Sequence, residues 1–536
     1  MALKIFNTMS RRKEEFVPLK PHFVRMYTCG LTVYDYMHIG HARTYCFWDV
    51  LRRWLRHSGY QVVSVINYTD IEDKIIARAN ETGEDVSSLS RKFIAAFDDD
   101  IRWLGIEPWT ITCRATDFVP QMIEMVKALV DKGFGYVVEG DVYFSVEKFR
   151  GYGKLSGHNL DDLIAGSRVE VDERKRNPAD FALWKSAKEG EPFWDSPWGK
   201  GRPGWHIECS VMSMNYLGDT LDIHGGAVDN MFPHHENEIA QSESYTGKPF
   251  SKYWMHPEHL LMEGTKMSKS LGNFLTVHDL KEQSVDPRAV RLYFLMNHYK
   301  TQMNFSDEGL AAAQASLERI QNFYDLLDER MVALKQQLIE DKSIPLDDHL
   351  AEALIQAAED QPRPDNALQE SADLRVKFKT AMDDDLNTTA ALGAVFELIK
   401  NLNTDPAGMI PTVLSALVFQ LAVNNRLNLL GLGTFEGKSP ALRRFENLSR
   451  LASIVQRYWP EGVEVTTQVT EHHARASEQV LAAFVEPEIQ KRNDARARKD
   501  FKEADAIRDR LADMGVILED TPSGTRWHVK PGSGAE

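Results

Sequence analysis

On its pattern the chain falls in the α/β class: a parallel sheet interrupted by an insertion, then a helical bundle, then a small mixed unit. Three observations predict this. A strand–helix–strand run stands near the start. Strand patterns return after a stretch rich in Gly, Pro and Trp, and beyond Asp286 the apolar spacing becomes helical. Taken in order, Phe23 to Cys29 (FVRMYTC) is β-rich, and GLTVYDYMHIGHA is a glycine-punctuated loop. Phe47, Val50, Leu51, Trp54 and Leu55 then recur at helical spacing up to Gly59, and Gln61 to Asn67 is a second strand. A β-α-β unit favours parallel strands joined by right-handed crossovers, as in a Rossmann-type sheet.

The second set begins with a buried strand at Asp219 to Gly226. A helix is expected from near Phe232, and YWMHPEHLLM carries further strand-like residues. Between the sets, about 111–201 reads as an insertion around PFWDSPWGKGRPGW. Helical spacing runs from Arg288 to about Arg330, and Asp341 to Ala372 is acidic and reads as a solvated linker. Leu374, Phe378 and Met382 resume the helical pattern. In the tail, Ala497, Phe501, Ala504, Ile507 and Leu511 form one apolar helix face, Gly515 closes it, and VILEDTPSGTRWHVK reads as a hairpin. The expected domains are 1–288, 289–480 and 481–536.

Composition narrows the function. The 536 residues include 63 basic and 79 acidic side chains, and 43% are hydrophobic, a globular balance with net charge −16. No window approaches the ~18 consecutive apolar residues of a membrane span. The opening MALKIFNTMSRRKEEF puts charges where a secretory signal needs an apolar core, so a soluble cytoplasmic enzyme is expected, without a membrane partner. The acidic balance argues against indiscriminate coating of nucleic acid, though a local basic face could grip one shaped RNA. The four cysteines, Cys29, Cys46, Cys113 and Cys209, include no C-x-x-C pair and by themselves announce no metal.

Two short motifs carry chemistry. His38-Ile39-Gly40-His41 stands where the loop enters the first helix, with both imidazoles on one face of its first turn. Free backbone N–H groups and the helix dipole make that end an anion site. Lys266-Met267-Ser268-Lys269-Ser270 lies between Gly264 and Gly272, and two ammonium groups on a glycine-hinged loop suit a polyphosphate. Each alone is more often a capped helix or a solvated basic turn. Together, in this order and with helices following, they are specific.

The pair resembles the HIGH and KMSKS signatures of class I aminoacyl-tRNA synthetases. MYTCGLTVYDYMHIGHAR, NYTDIEDKII, GWHIECS, FPHHENEIAQSE, KMSKSLGNF and KDFKEADAIRDRLADMGVILEDTPSGTRW further resemble blocks of the cysteinyl-tRNA synthetase family. The resemblance implies adenylate formation from ATP and L-cysteine, with Mg²⁺ accompanying ATP, and transfer to the 3′ end of tRNA(Cys). His38, His41, Lys266 and Lys269 would be catalytic, and His38, His41, Lys269 and Asp229 would hold ATP. It also implies one Zn²⁺ on Cys29, Cys209, His234 and Glu238. This set is chemically sensible, because His234 and Glu238 are i, i+4 while His235 and Glu236 are expected to point elsewhere. Gly30, Thr69 and Trp205 would contact the amino acid, although Thr69 and Asp229 also suit helix caps and Trp205 suits core packing. His206 and His224 could approach the pocket, but as lone histidines they read as satisfied by local partners. Arg492, Arg496 and Lys499 form a basic stripe that, with Trp527, would bind tRNA, and a monomer is expected. The nearest rival is a ligase joining cysteine to an amino sugar, which would share the motifs and zinc set but lack the tail. More distant are a zinc hydrolase, which leaves KMSKS unexplained, and a non-enzymatic RNA binder.

Overall fold

The computed structural model describes residues 2–158, 173–262, 264–266, 273–342, 365–404, 406, 413–433, 489–496, 498, 500–501, 504–505, 507–508, 516–521 and 524–529. The chain forms two compact units, 1–459 and 460–536.

In the first unit a hairpin, β1 (Lys4–Asn7) and β2 (Arg12–Glu15), precedes β3 (Phe23–Thr32), α1 (Ile39–His57) and β4 (Gln61–Thr69). Then come α2 (Asp73–Thr82), α3 (Val86–Trp103), β5 (Ile111–Arg114) and α4 (Val119–Asp131). After β6 (Gly135–Val138), β7 (Asp141–Phe144), β8 (Phe181–Ser186) and β9 (Gly201–Pro203) follow α5 (Trp205–Leu217), β10 (Leu221–Gly225), α6 (Glu236–Thr246) and β11 (Ser251–Met255). The central sheet has the order β11-β10-β3-β4-β5, and every pair is parallel. Strand order therefore reverses between β3 and β10, and the crevice outside their carboxyl ends is where such sheets take ligands. The inner strands β3, β4 and β10 are largely buried because both faces of the sheet are covered there, whereas edge strand β5 alternates buried and exposed residues. Gly225 lets α1 lie close, since a Cβ there would sit 2.6 Å from the Trp48 ring and 2.1 Å from the Met255 carbonyl oxygen.

Three expectations change. Ile111–Arg114, placed at the start of the insertion, pairs with β4 in the central sheet, and the separate antiparallel sheet is β6-β7-β8-β9. The helix expected from Phe232 begins regularly only at Glu236, because Phe232 is extended (φ −138°, ψ 133°) and Met231–His235 forms a wider π turn. Part of the acidic linker, from Asp365, is helical.

Beyond β12 (Leu260–Met262) and β13 (Thr265–Lys266) the unit turns helical. It contains α7 (Val277–Glu282), α8 (Pro287–Leu295), the short β14 (Met303–Phe305), α9 (Asp307–Lys342), α10 (Asp365–Asp383), α11 (Thr388–Thr404) and α12 (Val413–Leu429). One apolar core runs from the sheet into these helices. Asp49 of α1 fastens the junction: it accepts from Arg53 Nε at 2.8 Å and Arg52 Nη2 at 3.3 Å, and pairs with Arg291 of α8. Arg291 Nε also donates to the Leu430 carbonyl at 2.7 Å, just past the end of α12. Burial alone would raise the Asp49 pKa, but the three guanidinium groups hold it at about 2.

In the second unit, β15 (Val516–Thr521) and β16 (Gly524–Val529) form the expected antiparallel hairpin. Ala504 and Ile507 are buried as expected, but Phe501 is 60% exposed and leaves the apolar face. Among the described residues no helix is long and apolar enough to cross a membrane.

Candidate active site and metal centre

The HIGH turn stands at the carboxyl edge of the sheet, after β3. His38 is the N-cap of α1, and its Nδ1 accepts from the Gly40 and His41 amides at 3.1 and 3.3 Å. Because Nδ1 is an acceptor, the neutral ring carries its proton on Nε2 and can donate there to an oxyanion. His41 stacks on His38 with ring centroids 3.6 Å apart, and its Nδ1 has no hydrogen-bond partner. Burial, then the charge of Lys74, lowers the His41 pKa to about 4. At neutral pH His41 is therefore an uncharged hydrogen-bonding group.

The segment after the lysine motif is built into this turn. Ile39 N donates to the Leu275 carbonyl at 3.1 Å, and Val277 N to the Met37 carbonyl at 2.9 Å. Lys266 ends β13, whereas Lys269 lies outside the described residues.

Beside the HIGH turn the expected quartet is brought together. Cys29 lies in β3, Cys209 on α5, His234 on the π turn and Glu238 on α6, and all four are buried. Cys29 Sγ is 3.8 Å from Cys209 Sγ and 3.6 Å from Glu238 Oε1, and His234 Nε2 is 3.1 Å from Glu238 Oε1. One donor atom from each residue lies within 4.8 Å of the others. Edges of this size fit a tetrahedron of ligands about 2.0–2.3 Å from an ion, and two sulfurs, an imidazole and a carboxylate suit zinc. Burial, followed by Cys209 and Glu238, pushes the Cys29 thiol well above its usual range. Burial acts the same way on Cys209, but the Cys29 hydrogen bond and His234 outweigh it and hold Cys209 at about 6. Binding a cation through both sulfurs therefore releases a proton.

One neighbour departs from the sequence reading. His235, expected to point away, brings Nε2 to 3.3 Å from Cys29 Sγ, because the π turn rotates it inward. Glu236 does face away, accepting from the Gly153, Leu155 and Ser156 amides. His224 and His206 have local partners, as expected, and these belong to the quartet: His224 Nε2 is 3.1 Å from Glu238 Oε2, and His206 Nδ1 is 3.0 Å from His234 Nδ1. Adjacent histidines in HHENE and a histidine at a strand end were the available signals.

The remaining candidates fall around this edge. Gly30 N donates to Asn67 Oδ1 at 2.9 Å, and a Cβ at Gly30 would lie 1.5 Å from the Asn67 carbonyl oxygen. Thr69 is buried and donates to Glu208 Oε2 at 3.2 Å, and the cap of α2 is Glu72 instead. Burial, then Cys209, raises the Glu208 pKa well above the carboxylate range, and its Oε1 has no partner. Trp205 is not core: it is 36% exposed, with its ring 4.3 Å from the His234 ring. Asp229 is exposed on a 3-10 turn whose cap position is Ala227, so it caps no helix.

In the tail the stripe is broken. Arg492 is buried, with Nη1 3.5 Å from Thr525 Oγ1 of the hairpin, while Arg496 is exposed. Lys499 and the Trp527 side chain lie outside what is described, although Trp527 pairs in register with Leu518.

Three stretches of the chain match known families. Residues 15–315 match the family described as the class I (C) tRNA synthetase catalytic domain, 377–432 the DALR domain, and 488–527 the cysteinyl-tRNA ligase anticodon binding domain. The cysteine–tRNA ligase of Geobacter sulfurreducens is 44% identical over 530 residues, covering 99% of this chain and 100% of that protein. That of Clostridioides difficile is 44% identical over 525 residues, covering 98% and 99%. Mycobacterium tuberculosis methionyl-tRNA synthetase, solved with methionyl-adenylate, shares the fold at TM-score 0.57 and 15% identity, over 80% of this chain and 96% of that one. The chain belongs to the cysteine–tRNA ligase family of class I aminoacyl-tRNA synthetases.

Proposed function

We propose that this enzyme joins L-cysteine to ATP as cysteinyl-adenylate, releasing pyrophosphate, and passes cysteine to the 3′ end of tRNA(Cys). One observation carries the reading: the HIGH turn and the buried Cys29–Cys209–His234–Glu238 group share one edge of the sheet. The cysteine carboxylate attacks the α-phosphate, and His38 and His41 donate to the oxygens where charge grows. Lys266 and Lys269 meet the departing pyrophosphate, with Mg²⁺ accompanying ATP, and Asp229 holds the ribose. Trp205, Thr69 and Gly30 border the amino-acid pocket. No protein nucleophile is needed, since positioning and electrostatics supply the rate.

Cys29, Cys209, His234 and Glu238 would hold zinc, which favours a substrate thiol, bound as thiolate, over a hydroxyl. A pocket working by shape alone separates such close analogues by only ~1–3 kcal/mol. In the tail, Arg496, Lys499 and Trp527 contact tRNA, whereas Arg492 supports the hairpin. We further propose a cytoplasmic monomer. The test is cysteine-dependent exchange of pyrophosphate into ATP followed by charging of total tRNA, with serine as competitor. Exchange that ignores cysteine, or that serine supports equally, would defeat the reading.

A further inference from the structure

Three histidines outside the proposed ligand quartet lie against its members. His235 Nε2 meets Cys29 Sγ at 3.3 Å, His224 Nε2 meets Glu238 Oε2 at 3.1 Å, and His206 Nδ1 meets His234 Nδ1 at 3.0 Å. His235 does not end the series: its Nδ1 is 2.7 Å from His256 Nε2, and His256 Nδ1 is 2.9 Å from Thr8 Oγ1, beyond the first hairpin strand.

Counting protons gives each contact a direction. A ring lone pair turned toward a thiolate or a carboxylate oxygen is repelled, so His224 carries its proton on Nε2, the atom 3.9 Å from Cys29 Sγ and beside Glu238 Oε2. Its Nδ1 is then a bare acceptor, and that atom has no partner. The same argument at a Cys29 thiolate makes His235 Nε2 the donor. His235 Nδ1 then accepts from His256 Nε2, and His256 Nδ1 accepts from the Thr8 hydroxyl, which leaves every atom of the chain matched. If His234 gives its Nε2 lone pair to an ion, its proton sits on Nδ1 and is accepted by His206. We infer that His235, His224 and His206 are positioning residues of the metal centre, the first two orienting Cys29 and the third His234, with Thr8 setting the direction of the His256–His235 chain. This rests on the zinc reading above.

The rival arrangement is visible in the same cluster, because Cys29, His224, His235 and Glu238 also have donor atoms within 4.8 Å of one another. As ligands, however, both rings would turn Nε2 lone pairs inward. His224 would then bury an N–H with no acceptor, and orphaned buried donors are rarer than orphaned acceptors.

The test uses the full-length protein and measures zinc affinity by competition with a chelator. Loss of an orienting partner typically weakens metal binding by about 10–100-fold, the effect expected for His235→Phe. His235→Gln, which can still donate to sulfur and accept from His256, should recover most of it, and Thr8→Val should show a smaller loss. The Co²⁺-loaded forms should keep the same sulfur-to-metal absorption band. Equal losses in the Gln and Phe variants, no loss in either, or an altered cobalt band would overturn the inference. If the Phe variant does not fold, ¹⁵N-histidine spectra of the unaltered zinc-loaded chain decide. Protons on Nε2 of His224 and His235 and on Nδ1 of His234 support the arrangement, and the opposite tautomers overturn it. A full-length chain that binds no zinc overturns this inference together with the zinc reading. A chain that binds one zinc but is indifferent to His235 overturns the positioning roles alone.

Discussion

The HIGH turn and the cysteine–histidine cluster stand beside each other at the end of β3, yet they are built in opposite ways. The turn is local: four consecutive residues start a helix, and His38 organises the amides two and three positions ahead. The cluster is assembled from residues 29, 209, 234 and 238 on four elements, all buried. Helix geometry sets most of the first, with the 275–277 segment bonded to its backbone, whereas the second exists only when β3, α5 and α6 pack correctly. A change in the turn should therefore act on rate, and a change in the cluster on metal content and substrate choice together.

The largest expected effect tests that division. Cys209→Ser should take zinc from about one ion per chain to little, as measured by metal analysis, and cysteine-dependent exchange should disappear with it. Cys46→Ser and Cys113→Ser should keep both, since those thiols are buried elsewhere and burial holds Cys46 at about 12. A verified metal-free chain with full cysteine activation would erase the distinction.

On the nucleotide side, Lys269→Ala should slow adenylate formation by about 10²–10³-fold, the usual loss for one preplaced electrostatic contact. Zinc content and the KM for cysteine should hardly move. Parallel loss of zinc would mean that the two regions are not separable.

A third region sharpens the contrast. Deleting the tail from about Val485 should spare pyrophosphate exchange but reduce charging of tRNA, because the deletion falls within the second compact unit. Arg496→Glu with Lys499→Glu should imitate this and flatten the salt dependence of tRNA binding. Arg492 is left out because its reversal would bury an unmatched charge against the hairpin. Undiminished charging by the truncated enzyme would show that the tail is no RNA-binding element.

The smallest effect concerns pH. Burial and Lys74 lower the His41 pKa, so the ring protonates only as pH falls toward about 4. The exchange rate should show no loss from this group between pH 8 and pH 6, and Lys74→Gln should move its acid limb upward. A limb near the ordinary histidine pKa of about 6.5 in the unaltered enzyme would contradict the burial argument.

Sequence by itself determined the first strand–helix–strand unit and the place of the HIGH turn, whereas the four proposed ligands came from resemblance to a family. The unit and the turn are written in short-range periodicity and in a motif whose geometry is set within one or two turns. The cluster's surroundings were not legible. His235 was expected to face away because a regular helix was assumed through 234–238, and a π turn with extended Phe232 rotates it inward. Ile111–Arg114 was assigned to the insertion because nothing local distinguishes an edge strand from the start of an insertion, and only pairing with β4 settles it. Arg492 reads as a solvated cation at i, i+4, i+7, yet packing against the hairpin buries it. The physical reason is shared. Periodicity reports which face of an element is apolar, but the groups that meet a given polar atom are chosen by contacts between residues far apart in the chain, as when Thr8 reaches His256.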